Sequence, residues 1–388
     1  MQNKFSRRDL LKVAGLGFGA VALRPVNQFL SDDGKSNLNR GEGNWVGLPL
    51  PQFPEGENLG RILGKVDVFS RPTTDPSAAS ITNTLYDDNM VVWSREVVGN
   101  AIGRTNQRFV ETDQGFIYSP FVQPASNKPN NPITALPEGS SGFWAEVTIP
   151  YVDLLLDGPP ISSWVKSLIA YNFPPRLYYS QVVWIDQIRA ETSGQVYYRF
   201  NESPGHGYGP GDLFWADGAA FRVLTDEDVS PINPEVDPAS KHINIDLDYQ
   251  TLSCLEAGRE VYFCRVSTGA VYLASGEFTD EWKTPVGDLN THWKIISLNM
   301  SAGTVGAGYS TPAVPWATFI HGDGVAIHGA FWHNDFGERR SHGCVNLRPE
   351  DAKWVFRWTT PIITLQQSEQ RMTWPDHGTV VSVTERET

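Results

Sequence analysis

A mainly β chain of several small modules, closed by a short helix, is what this sequence predicts. Three observations predict it. Glycine (35) and proline (27) are abundant in the 388 residues and break the chain into short pieces. The apolar runs between them are brief and alternating, the two-residue period of half-buried strands. Only one stretch, after Pro349, carries a clear helical period. The length leaves room for two to four domains at about 100–200 residues each. With 40% hydrophobic and 19% charged residues, collagen, a coiled coil and a wholly disordered chain are excluded.

Residues 1–23 resemble a twin-arginine signal peptide. Arg7-Arg8 precede the apolar run Val13–Leu23, and small residues Ala20-Val21-Ala22 close it. Eleven residues are too few to cross a bilayer, which takes about 20. The expectation is export of a folded protein across the cytoplasmic membrane to the cell envelope, with no integral membrane span in the mature chain. Net charge is −13, and the cations Lys4, Arg7, Arg8 and Lys12 sit in the signal, so the remainder is more acidic still. Phosphate recognition needs clustered cations, so nucleic acid is not an expected partner.

Residues 24–60, rich in Gly, Asn, Asp and Pro, read as a linker. From Arg61 to about residue 125, short strand-like runs follow: Gly64–Ser70, Asn89–Val98, Arg108–Glu111 and Gly115–Pro120. Phe109 to Tyr118 resembles the last hairpin of bacterial SH3-like domains. Residues 126–137 read as a second linker. A second small β-rich unit, also expected to be SH3-like, spans 140–230, with strands at Arg176–Ile185, Gln195–Phe200 and Gly218–Leu224. The last domain is placed at 241–367. Its strands are Ile243–Leu247, Thr251–Leu255, Glu260–Ser267, His292–Leu298 and Thr318–His321. Its helix starts at Pro349, with Glu350 and Asp351 at the positive end and Ala352, Val355, Phe356 and Thr359 on one face. Pro361 stops it, and 368–388 reads as a loose polar tail.

Three cysteines are too few for a disulfide framework. If Glu256 pairs with Arg259 across a hairpin turn, Cys254 and Cys264 fall on opposite faces, badly aimed for a bridge.

The chemistry concentrates in Ser341-His342-Gly343-Cys344-Val345-Asn346 and the upstream His328-Gly329. A free thiol is mostly protonated at neutral pH, and a neighbouring imidazole can take its proton to expose the nucleophilic thiolate. His342, two residues away, shares a face with Cys344 in a strand, and His328 can approach from a facing strand. Gly343 permits a tight turn whose amides can point at a developing oxyanion. His321, His328, His333, His342 and Cys344 lack His-x-x-x-His or Cys-x-x-Cys zinc spacing. No metal and no cofactor are expected, and His321 and His333 read as pocket-rim or surface residues.

The run His328…Ser341-His342-Gly343-Cys344-Val345-Asn346-Leu347 resembles the signature of the L,D-transpeptidase family, the YkuD-like catalytic domain. Ser267-Thr268-Gly269, Thr284-Pro285-Val286-Gly287 and Arg348-Pro349-Glu350-Asp351-Ala352 resemble that family's other segments, in its order. The resemblance implies a YkuD-like β-sandwich with a short helix at its C-terminal end. It implies Cys344 as nucleophile, His328 as base, and the Gly329 carbonyl orienting that imidazole. His342, with the amides of Gly343 and Cys344, would shape the oxyanion site. Ser341 and Asn346 are placed near substrate, Asn346 holding the loop through hydrogen bonds. Tyr309 and Trp332 resemble groove-lining positions. Arg348 is either a substrate-carboxylate contact or a helix-start partner of Asp351.

Family members cross-link peptidoglycan stem peptides without ATP. A tetrapeptide donor loses its terminal D-alanine, forms an acyl-enzyme, and is resolved by an amine of a second stem. The implied partner is therefore the peptidoglycan stem; a monomer is the expectation for the chain, although the sequence does not fix its oligomeric state. Water as acceptor would make an L,D-carboxypeptidase, and a protein acceptor a wall-attachment enzyme. A wall-binding protein with a degenerate catalytic domain is the reading from another class, and the intact His328/Cys344 pair counts against it.

Overall fold

The structure, a computed structural model, describes residues 47–206, 210–272, 276–302, 309–373 and 377–386. The expected signal peptide and the first part of the linker lie outside the described residues. The chain divides into two compact units. The first holds Phe109–Leu224, the residues before Val98 and the segment Leu298–Ala313; the second holds Val98–Arg108, Thr225–Ser297 and everything from Val314.

The first unit is β-rich throughout. A three-stranded antiparallel sheet joins Leu59–Ile62 to Met90–Val92 and Val122–Ala125. A five-stranded one runs Ile81–Leu85, Val66–Phe69, Gly115–Tyr118, Arg108–Thr112, Arg95–Val98. Farther on, a six-stranded sheet is centred on Val196–Asn201 and Val182–Ala190. Two expectations change here. The first strand starts at Leu59, and Leu50 and Phe53 pack on the core beneath the six-stranded sheet, so 47–60 is not a free linker. A helix, Ser163–Ala170, buries Trp164, Val165 and Leu168. It escaped the sequence reading because it spans only two turns, too short for a periodic signal.

The second unit holds all of one five-stranded sheet and part of another. One is ordered β3-β2-β1-β10-β4, from β1 (Lys241–Asp246), β2 (Thr251–Glu256), β3 (Arg259–Arg265), β4 (Gly287–Asn290) and β10 (Val380–Thr384). The other is ordered β8-β7-β6-β5-β9, from β5 (Trp293–Ala302), β6 (Tyr309–Phe319), β7 (Ala326–Gly329), β8 (Val345–Leu347) and β9 (Glu369–Arg371). Helix α1 (Pro349–Trp358) starts and stops where expected and buries Ala352, Val355 and Phe356. It touches both sheets. Trp354 stacks on Tyr262 of β3 at 4.0 Å, and Phe356 meets Trp316 of β6 edge-on at 5.4 Å.

The loose tail after residue 367 is overturned. β9 lies at a sheet edge, and β10 sits inside the other sheet, parallel to β1 and antiparallel to β4. Val381 and Val383 are buried at 0% and 2% exposure. Burying such a side chain contributes roughly 1.5–3 kcal/mol. β10 therefore belongs to the domain core. It escaped notice because a run of only five residues gives little pattern.

The hairpin β2–β3 also departs from expectation. Glu256 does pair with Arg259, but a bulge after Cys254 shifts the register, so Cys254 opposes Tyr262 and Leu252 opposes Cys264. A one-residue slip moves every later side chain to the other face. The two cysteines consequently share the buried face, and all three thiols are free. Burial pushes both hairpin thiols well above their ordinary range, which makes them poor nucleophiles.

Candidate active site

His328 and Cys344 are brought together by the parallel pair β7–β8. Ile327 opposes Val345, and His328 opposes Asn346. One step back, Cys344 lies beside Ala326. Residues two apart share a face of a strand, so Ala326, His328 and Asn346 project to one side, and Cys344 is the bend residue that leads into β8. Strand spacing puts the Cα atoms of His328 and Cys344 about 8 Å apart, a gap an imidazole and a thiol together span.

The His328 ring is buried at 2% exposure. Its Nδ1 lies 3.1 Å from the Gly329 carbonyl oxygen. A carbonyl only accepts, so Nδ1 carries the proton and Nε2 keeps its lone pair. Burial pushes this imidazole down to about 4, outweighing the upward pull of the Gly329 carbonyl. Cys344 is partly exposed. Its thiol donates a weak 3.9 Å bond to the Gly324 carbonyl. Desolvation raises its pKa, and a hydrogen bond from the Ala326 amide opposes that rise. The lowered base and raised acid agree in sense: at rest the pair is neutral thiol and neutral imidazole.

The turn before Cys344 is tied down on every side. Ser341 Oγ donates to the Cys344 carbonyl at 2.5 Å and accepts from the Gly343 amide at 3.1 Å. The Gly343 amide is thus spent inside the turn, a correction to the expectation that it faces an oxyanion. The Ser341 hydroxyl is likewise committed to the turn rather than to substrate. Gly343 has φ +115°, and added bulk there would meet nothing closer than 3.8 Å, so the dihedral alone demands glycine. Gly343→Ala is expected to cost about 1–3 kcal/mol through backbone strain. Thermal denaturation checks it, and an unchanged melting temperature would refute the strain.

The other segments singled out in the sequence turn out to be struts. Thr284 Oγ1 donates to the Gly343 carbonyl at 2.8 Å and accepts from the Gly269 amide at 2.9 Å. A Cβ on Gly269 would lie 1.9 Å from the Trp282 carbonyl oxygen, so only glycine permits this approach. The Thr268 carbonyl accepts from the amides of Arg340 and Ser341. Gln250 in turn exchanges hydrogen bonds with the Thr268 side chain and amide, at 2.7 and 2.8 Å.

The remaining candidates divide. His342 is exposed and packs edge-on against Trp282 at 4.6 Å. Trp332 is half-buried, its ring 5.7 Å from that of His328. Tyr309 opens β6, and its side chain lies outside the described residues. Arg348 lies over the Phe336 ring at 5.8 Å, while Asp351 takes a 2.6 Å hydrogen bond from Tyr262. His321 is half-buried, 3.5 Å from Asp323.

His333 is a correction: it is buried at 3%, not at a rim. Its Nδ1 accepts the Asp335 amide at 3.3 Å, so Nε2 carries the proton. Nε2 lies 3.0 Å from Asn346 Nδ2, while Asn346 Oδ1 is buried without a partner. Half a turn of that amide gives Nε2–H its acceptor and removes the orphaned oxygen. Hydrogen-bond logic assigns the amide that way.

Residues 240–383 match the family model of YkuD, the L,D-transpeptidase catalytic domain. A Mycobacterium tuberculosis protein named "Probable L,D-transpeptidase 3" is 35% identical over 83 residues, 20% of this chain and 31% of its own length. The match thus spans less than a third of that relative. Among solved structures, an L,D-transpeptidase from Mycobacterium smegmatis is 18% identical, covering 49% of this chain and 91% of its own, at TM-score 0.30. The Enterococcus faecium L,D-transpeptidase C442S mutant is 23% identical over 37% of this chain and 50% of its own, at TM-score 0.28.

Proposed function

We propose that this chain, whose residues 240–383 form an L,D-transpeptidase catalytic domain of the YkuD family, cross-links peptidoglycan stem peptides through a thioester on Cys344. One observation carries the mechanism. The buried His328 turns a protonated Nδ1 to the Gly329 carbonyl, which leaves Nε2 as its basic nitrogen, on a strand paired with the one that Cys344 leads into.

His328 Nε2 takes the thiol proton as Sγ attacks the donor carbonyl, so no resting ion pair is needed. The Cys344 amide is the turn's remaining donor to the oxyanion, beside the His342 ring. The tetrahedral centre collapses as the C–N bond to the terminal D-alanine breaks. His328 returns its proton to that amine, leaving the thioester. An acceptor amine then attacks, gives a proton to His328, and expels the thiolate, which is reprotonated. Trp332, its ring 5.7 Å from that of His328, lines the donor side.

Purified protein incubated with tetrapeptide muropeptides tests this by mass spectrometry. Dimers lacking one alanine are the expected product. Tripeptide monomers alone would mean that water is the acceptor, and unchanged muropeptides would overturn the enzyme reading.

The N-terminal β modules are proposed as SH3-like, and the chain as exported by the twin-arginine route. Replacing Arg7 and Arg8 together by Lys is expected to hold the precursor in the cytoplasm, read by cell fractionation. Undiminished export would refute that route.

A further inference from the structure

We propose that Asn106, outside the matched domain, is a positioning residue for the His328–Cys344 pair, acting through Asp335 and the loop that joins the two catalytic segments. The inference rests on the Cys344 thioester reading above.

Segment Val98–Arg108 lies between two strands of an N-terminal sheet in the sequence, yet it clusters with the second unit. Gln107 knits it internally, its Oε1 accepting the Ala101 amide at 2.7 Å and its Nε2 donating to the Ala101 carbonyl at 3.0 Å. Asn106 is 9% exposed. Its Oδ1 accepts from Arg108 N and Nε at 3.0 and 3.2 Å. That aims its Nδ2 at Asp335 Oδ1, 3.1 Å away and 229 residues on in sequence. Arg108 Nη2 donates to the Asn334 carbonyl at 3.3 Å. Glu338 takes hydrogen bonds from the Thr105 side chain and the Asn106 backbone. The segment therefore grips the loop at 334, 335 and 338.

Asp335 passes that grip on. Its Oδ2 pairs with Arg340 at 2.9 Å, and its carbonyl accepts from Ser267 Oγ at 2.8 Å. Its amide donates to His333 Nδ1 at 3.3 Å, and His333 Nε2 meets Asn346, which stands directly across from His328. A chain of hydrogen bonds thus runs from Asn106 to the strand position flanking the base. Alignment of an attacking group is steep in distance, and a misplacement of about 1 Å can cost on the order of 100-fold.

The test is the rate at which imipenem adds its mass to Cys344 in the full chain, followed by intact mass and peptide mapping. Asn106→Ala is expected to lower the saturating acylation rate roughly 10- to 100-fold, with the half-saturating imipenem concentration unchanged. Asn106→Asp sets two carboxylates face to face and should be slower still. Combining Asn106→Asp with Asp335→Asn exchanges donor and acceptor and should restore the rate. The pair of Asp variants decides the matter if the alanine variant does not fold. A folded Asn106→Ala protein acylated at the wild-type rate would overturn the proposal, as would folded exchange variants that stay slow. Wild-type protein that never gains the adduct on Cys344 would instead bring down the thioester reading, and this inference with it.

Discussion

Cys344→Ser is expected to fold like the wild type and to lose turnover by more than about 10⁴-fold. The substitution keeps the side chain's shape and its contacts with Gly324 and Ala326. What it removes is acidity. A thiol ionises near 8.5, so even when burial pushes it upward one imidazole can draw off its proton during attack. A hydroxyl is far less acidic, and the His328 lone pair, weakened by burial, meets it with too little basicity. Muropeptide turnover measures the loss, and circular dichroism measures the fold. A carbapenem should label the wild type on Cys344 alone, since Cys254 and Cys264 are buried thiols held protonated. Full activity of the serine variant, or an adduct mapped to either hairpin cysteine, would sink the mechanism.

Removal of the base is the second large effect. His328→Ala is expected to slow acylation by about 10²–10⁴-fold, the ordinary value of a general base. The pH profile gives a sharper reading of the same group. The base must be unprotonated to act, and burial holds its pKa at about 4. The acylation rate of the wild type should therefore stay level as pH falls through 6.5, where a free histidine charges, and drop only as pH approaches 4. In His328→Ala that acid limb should disappear. A wild-type limb centred near 6.5 would show an exposed or differently paired imidazole, and the buried-base mechanism would fail.

Much of the site was legible from residue types and spacing. Local order suffices for Ser341 to Asn346, because a turn needing glycine at 343 and a strand after it are short-range properties. Helix α1 was readable for the same reason: Pro349, the acids behind it and the apolar stripe are all within ten residues. The roles of Thr268, Gly269 and Thr284 were not, although the segments stood out. What they do is hold backbone groups of residues 340, 341 and 343, and a hydrogen bond to a distant carbonyl leaves no mark in local pattern.

By itself, then, the sequence determined the β-rich class and the closing helix, since alternating runs and a helical stripe are local patterns, and it singled out Cys344 and His328 as candidates through a family resemblance that spans more than neighbouring residues. Tertiary structure alone decided the rest. It took the β2–β3 bulge to turn Cys254 and Cys264 to the same buried face, because register depends on one unpaired residue that composition does not announce. It took strand pairing to make residues 380–384 part of the core, because a five-residue run gains its stability from β1 and β4 beside it. And it took folding to bury His333 and to bring Asn106 to Asp335, because desolvation and a contact spanning 229 residues exist only once the chain has closed on itself.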